Sequence, residues 1–243
     1  MKNVLRWAHL LIRPRNYASM LASVLLLIVA SPLADTTPWG RTILALLVVA
    51  VLVFGMEAVG AARSELMLVS CLAALTVGFF VSGTWFNEGL TETNIFHIVG
   101  YCVCLVFFVR VGFVMLRDIF SGEVTGNRIC GAVCVYLLLG YFFAILQLVA
   151  LSLDAHALRF DGALAGLLNP HDALSKQRFV SMMFYFSFCT LTTLGYGDIS
   201  PVSTFSRTVA WLEAVTGQLY LAVLIARLVG QHIAASAARS LRN

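Results

Sequence analysis

Charge is what this 243-residue sequence has least of: Asp, Glu, Lys and Arg make up 12% of it, against 60% hydrophobic residues. A water-soluble domain carries roughly 25% charged residues, so a chain with half that share cannot clothe its surface for water. With a mean hydropathy of +0.90, it belongs in a lipid bilayer. A disordered tail and a collagen are excluded as well, because apolar residues dominate and there are only 5 prolines. The 6 cysteines, Cys71, Cys102, Cys104, Cys130, Cys134 and Cys189, all fall in apolar runs, so no disulfide framework is implied. Cys130 and Cys134 share a helix face with no nearby histidine, which favours small-residue packing over a metal site. There is no phosphate-binding loop, no nucleophile constellation and no HExxH motif, so neither enzyme chemistry nor a cofactor is expected. The net charge of +4 needs no nucleic acid to explain it, since membrane proteins collect Lys and Arg on their cytoplasmic edges.

What the sequence does contain is long uncharged runs. A helix needs about 20 mainly apolar residues to cross the hydrocarbon core, and six candidates stand at 17–34, 42–62, 66–86, 94–116, 129–153 and 204–230. The second, fourth and sixth each hold one internal charge, Glu57, Arg110 and Glu213. With a cytoplasmic N-terminus, Lys2, Arg6, Arg13, Arg15, Arg63, Arg117, Arg128, Arg227, Arg239 and Arg242 lie on the inner side, and only Arg41, Arg159, Lys176, Arg178 and Arg207 lie outside. That bias places both termini in the cytoplasm. Residues 1–16 read either as an interfacial amphipathic helix ended by Pro14 or as a basic tail.

The interval between the fifth and sixth runs does not fit a simple bundle. Asp154 to Lys176 is polar, with turn signals at Asp161-Gly162 and Asn169-Pro170. The apolar, aromatic stretch from Phe179 to Leu191 follows and is too short to span, which suggests a re-entrant helix. Directly after it comes Thr192-Thr193-Leu194-Gly195-Tyr196-Gly197-Asp198. Two glycines at i and i+2 open backbone conformations closed to other residues, and irregular backbone at membrane depth survives only where it is buried or lines a wet cavity.

These residues resemble the pore of tetrameric potassium channels of the bacterial type, whose filter reads Thr-x-Gly-Tyr-Gly, usually followed by Asp. The resemblance is closest from Tyr185 to Gly217 and looser over 129–230. It implies that the carbonyls of Thr193, Leu194, Gly195 and Tyr196, with the Thr193 hydroxyl and Gly197 completing the filter, replace the water around K+. One filter copy per chain then implies a homotetramer. Thr192, Asp198, Tyr185, Phe186 and Cys189 take the places of filter supports, and Gly217 that of the glycine at which the inner helix bends. A close helix contact explains Gly217 equally well. Leu194 departs from the commoner valine. Cys189 stands where some members carry an acid bonded to the filter aspartate, and Phe186 lacks the indole that often meets it, so Asp198 is expected to be short of its usual partners.

The fourth run carries Arg110 alone, with Arg117 at its edge. One charge moved through the field yields only about 2.3 kcal/mol per 100 mV, so steep voltage sensing is not expected. Arg110 either pairs with Glu57 or snorkels to the interface. Glu213 faces the cavity or packs behind the filter, and its spacing leaves both open; four carboxylates in one cavity would repel. Gln218 is the cavity candidate.

The sequence therefore predicts an all-α membrane protein of six transmembrane helices plus a re-entrant pore helix and filter loop. Its regions are 1–16, a four-helix accessory domain over 17–128, a pore domain over 129–231 and a short cytoplasmic tail over 232–243 with no ligand-binding domain after it. The expected function is passive, selective K+ conduction across the cell membrane by a homotetramer, with no cofactor, no nucleic acid and no evident soluble partner. A less selective cation channel and a transporter with a re-entrant loop are the alternatives; transporters usually show paired repeats with interrupted helices, and no second glycine motif occurs.

Overall fold

The structure, a computed structural model of the chain, describes residues 17–34, 95–121, 125–162, 164 and 173–240, with 70–75 and scattered positions between 47 and 78. Its elements are α1 (Tyr17–Ala34), α2 (Ile95–Phe120), α3 (Gly126–Leu153), β1 (Leu158–Phe160), α4 (Ala173–Leu191), β2 (Ile199–Pro201) and α5 (Thr204–Ser240). Three helical segments, Ile98–Phe120, Gly126–Leu153 and Thr204–Gln231, are long and apolar enough to cross a membrane. Among the described residues, then, three crossing helices stand where six were expected. The segment 1–16 and Glu57 lie outside the described residues, and the runs at 42–62 and 66–86 are described only over 70–75 and at scattered helical positions such as Val51.

The hub is α3. Thr125 caps its start, accepting from the Arg128 N–H at 3.4 Å, which satisfies one of the orphan donors of a helix N-terminus. From Ile129 to Leu153 it carries no charge and has no polar face, the pattern of a helix surrounded by other helices. It packs against α1, α2, α4 and α5. By contrast α2 leaves Val99, Val106, Val109, Phe113 and Phe120 exposed at spacings of three, four and seven, a single stripe for lipid or a neighbour.

Among the described residues the core has three buried clusters, of which the smallest sets Val24 and Leu27 of α1 against Tyr141 of α3, with Phe184 and Phe188 of α4 beside them. Of the larger two, one joins Tyr17 and Met20 of α1, Phe107, Val111 and Met115 of α2, and Ala132 and Leu138 of α3, with Ala73 packed among them. The other joins Leu148 of α3, Met182, Met183 and Phe186 of α4, Leu158 and Ile199 of the strands, and Ala210 of α5.

One sequence-based boundary moves: the short helix starts at Ala173, ahead of the apolar stretch that begins at Phe179, because the polar residues before Phe179 continue it. The helix α5 runs on to Ser240. Nor is the chain wholly helical, since β1 and β2 pair antiparallel with Leu158 opposite Pro201 and Phe160 opposite Ile199. A three-residue strand is too short for alternation to announce it. It fastens the stretch after the glycine loop to the loop after α3.

Candidate functional site

The short helix α4 is held from three sides. Phe186 is buried between α3, the strand pair and α5, the Phe188 ring lies so close to α3 that a Cβ on Gly140 would come within 2.6 Å of it, and Tyr141 meets Phe184 and Phe188 edge-on at 4.8 and 5.7 Å. Gly217 allows the equivalent approach by α5, where a Cβ would stand 2.4 Å from the Leu191 carbonyl oxygen. The packing alone accounts for a small residue at Gly217, which sits within the unbroken helix α5.

The last turn of α4 uses its free carbonyls on the loop that follows. Thr193 N–H donates to the Thr190 carbonyl at 2.9 Å and Leu194 N–H to that of Cys189 at 2.8 Å, with Gly195 N–H on the same acceptor at 3.3 Å. With φ +58° at Thr193, this is a Schellman-type helix end, a position glycine normally fills. A β-branched residue in that conformation stores about 1–3 kcal/mol of strain, a cost that clusters at functional sites. The Thr193 hydroxyl is placed at the same time: it donates to the Thr192 carbonyl at 2.7 Å and accepts from Gln218 Nε2 of α5 at 3.4 Å. Thr192 turns its own hydroxyl back to the Phe188 carbonyl at 2.7 Å.

Beyond this helix end φ is positive at every second residue, +58° at Thr193, +56° at Gly195 and +83° at Gly197. A Cβ at either glycine would meet no atom within 4 Å, so conformation and not crowding calls for glycine there. Alternation of φ sign lets successive carbonyls turn to one side, where an ordinary strand points them to opposite sides in turn. The loop's amides serve the helix end, yet the carbonyls of Thr193, Leu194, Gly195, Tyr196 and Gly197 accept no hydrogen bond among the described residues. Residues 192–197 are exposed.

The far end of the loop is tied down by Tyr185. Its phenol donates to Asp198 Oδ2 at 2.8 Å and its ring stacks on Tyr196 at 6.4 Å and 9°. The other Asp198 oxygen, Oδ1, accepts from the Ile199 N–H at 3.0 Å. The shortage expected for Asp198 is thereby corrected: the departures at Phe186 and Cys189 are real, but one turn before Cys189 Tyr185 supplies the donor. Cys189 itself is buried. The strand pair extends the clamp, with Asp161 N–H on the Asp198 carbonyl at 3.0 Å and Val202 N–H on that of Ala157 at 2.8 Å.

Of the two places open to Glu213, the structure selects the one behind the loop. It is fully buried and in hydrogen-bond contact with Ser187 of α4, whose hydroxyl also lies 2.7 Å from the Gly140 carbonyl of α3. Gln218, one turn further, is exposed toward the loop's base. Arg110 lies within α2, while Glu57, its candidate partner, is outside the described residues. Sequence reasoning missed the buried pair Gln147–Ser206, in which Gln147 Nε2 donates to the Ser206 carbonyl at 3.2 Å and Ser206 Oγ to Gln147 Oε1 at 2.6 Å. A lone Gln in an otherwise apolar run was the available signal, since a buried amide needs a partner.

Among the described residues no group of three or more His, Cys, Asp or Glu is arranged to hold a metal ion. The arrangement offers instead neutral backbone oxygens, the ligands suited to a hard cation. Residues 132–231, from Ala132 of α3 through α4 and the glycine loop to Gln231 of α5, match the family model described as ion channel. No curated protein and no solved structure matches the chain. The matched stretch contains every contact of the loop described above, and this similarity supports an ion channel in the general sense, carried by a membrane protein.

Proposed function

We propose that the protein is a K+-selective channel in which four copies of the chain place residues 193–197 around one axis. The observation that carries the reading is the strip of five consecutive carbonyls without hydrogen-bond partners, from Thr193 to Gly197, on backbone of alternating φ. Buried or membrane-embedded carbonyls are rarely left unpaired, so such a strip needs another partner, and rings of carbonyl oxygens that replace a hydration shell are one. A single chain presents its strip from one side only; a stripped cation needs oxygens all round, which argues for a homotetramer.

The surface of α5 supports the same assembly. Trp211, Leu212, Val215, Leu219, Val223, Ile225 and Val229 are all exposed on the single chain, over more of the helix circumference than one lipid-facing stripe requires. In this reading Thr193, Leu194, Gly195 and Tyr196 hold K+, Thr192, Tyr185, Phe186, Cys189 and Asp198 support the filter, Gln218 lines the cavity beneath it, and Gly217 is the point at which α5 bends when the pore gates. The protein catalyses no reaction, carries K+ as permeant ion with no cofactor, and sits in the cell membrane with both termini in the cytoplasm. Arg110 and Arg117 are too few for an arginine-ladder voltage sensor.

The test is flux from liposomes loaded with K+, with Na+ as control. K+ efflux that barium blocks, with little Na+ flux, is expected, and Gly195→Ala abolishes it. Equal Na+ flux, or K+ flux indifferent to Gly195→Ala, would overturn the proposal.

A further inference from the structure

We infer that Glu213 acts as an uncharged carboxylic acid that donates its proton to Ser187, pinning α5, α4 and α3 together behind the filter. The inference rests on the channel reading and assigns Glu213 a role that reading leaves open: it is a positioning residue for the filter and no cavity charge.

Counting protons leads there. Ser187 Oγ lies 2.7 Å from the Gly140 carbonyl oxygen and in hydrogen-bond contact with Glu213 Oε1. A serine hydroxyl has one proton to give. The Gly140 carbonyl has none, so the Ser187 proton must occupy that contact, and the contact with Glu213 then holds two oxygens with no proton between them unless Glu213 supplies it. With the carboxyl as donor the chain is complete in one direction, Glu213 to Ser187 to Gly140, and every contact is a hydrogen bond. Were Glu213 ionised, one of the two contacts would be a bare approach of two acceptors.

The second carboxyl oxygen points the same way. Glu213 Oε2 is buried and has no hydrogen-bond partner, and Glu213 makes no ion pair among the described residues. An ionised carboxylate in such a place keeps charge on an unsolvated atom, which costs far more than an under-used neutral carbonyl. The surroundings are close-packed: Gly217 lies one turn along α5 with no room for a Cβ beside Leu191, and Gly140 has none beside Phe188.

The pin reaches the filter by a short route. Two residues beyond Ser187, the Cys189 carbonyl accepts the Leu194 and Gly195 N–H groups. Fixing Ser187 against two longer helices therefore fixes the height of the acceptor that sets the start of the carbonyl strip.

Three variants in liposomes test this, with infrared spectroscopy of the purified protein. Glu213→Gln keeps a donor and removes the possibility of charge, so K+ efflux, K+/Na+ selectivity and block by internal Mg2+ stay within about twofold of the parent. Glu213→Leu and Ser187→Ala remove the donor or the relay, and K+/Na+ selectivity falls about tenfold. A carboxylic-acid C=O stretching band is present in the parent at neutral pH and absent from Glu213→Gln. A Gln variant as defective as the Leu variant, or one with reduced Mg2+ block and conductance, would show a working charge and overturn the inference. So would the lack of the carboxylic-acid band, a readout that stands even where the Leu variant fails to assemble. A parent with no K+ flux but with the band would defeat the channel reading and leave the proton assignment in place.

Discussion

The two halves of the molecule are joined by different kinds of contact. Where α1, α2 and α3 meet, the buried cluster is apolar, Met20, Phe107, Val111, Met115 and Leu138 among others, with Ser23 and the Nε of Arg110 also buried nearby, and the helices bond to one another at one end. There Tyr17 donates its phenol to Asp118 at 2.7 Å and its N–H to Asn127 Oδ1 at 2.9 Å, beside Arg128. Around α4, polar links run through the interior, Gln147 to Ser206 and Glu213 to Ser187 to Gly140, with Tyr185 to Asp198 added at the exposed face. Lipid tails are as apolar as leucine, so apolar side chains fix helix positions in a membrane only through shape, while buried polar pairs fix them by direction and length. The region around the glycine loop is registered by bonds, and the region around α1 and α2 by packing.

The largest effect expected from breaking this contrast is at Gly217. Alanine there gains about 1 kcal/mol in helix propensity, but its Cβ would meet the Leu191 carbonyl oxygen at 2.4 Å, and a backbone atom cannot swing away. A net loss of about 2–3 kcal/mol is expected, read as a lowered melting temperature of the assembly in detergent. Gly230 is the control, because a Cβ there meets nothing within 4 Å and alanine is neutral or stabilising by up to about 1 kcal/mol. Equal behaviour of the two variants would remove the close contact between α5 and α4.

A smaller effect follows from Gln147→Leu, which strands the Ser206 hydroxyl and costs about 1–2 kcal/mol; adding Ser206→Ala recovers part of the loss, since removing both partners is milder than removing one. Additive losses in that cycle would deny the pair its coupling. The smallest belongs to the other half. Tyr17→Phe keeps the buried ring against Gly131 and loses, at a cost of about 1 kcal/mol, one hydrogen bond to Asp118, which keeps Arg128 at 4.0 Å, with ion flux unchanged. A Tyr17→Phe loss as large as that of Gln147→Leu would erase the distinction between bonded and packed halves.

The legibility of these halves in the sequence also differs. Four apolar runs coincide with helices because length and lack of charge are local properties, and the glycine loop is legible because Gly195 and Gly197 sit where φ turns positive. Thr193, at the same kind of φ, gives no such sign: its strain is set by the helix end it caps. The partner of Asp198 is hidden for a related reason. Neither Phe186 nor Cys189 bonds it; the donor is the Tyr185 hydroxyl, and which helical residue reaches the loop depends on the rotation of α4 about its axis, fixed by Phe186 in the core behind it. The side chosen by Glu213 was likewise open until Ser187 was in place, since a buried carboxyl reveals its partner only in three dimensions.

The contact between Asp161 N–H and the Asp198 carbonyl, at 3.0 Å, closes the chain on itself. Residues 162–197, with the whole of α4 and the glycine loop, leave from and return to one point, and the pairing of 158–160 with 199–201 reinforces the knot. Tension applied to α3 and α5 on that side is borne across the knot and does not run along the backbone into the enclosed segment. The carbonyl strip is therefore anchored at both ends, by the knot at Asp198 and by the contacts of α4 and Thr193 with the long helices at its base.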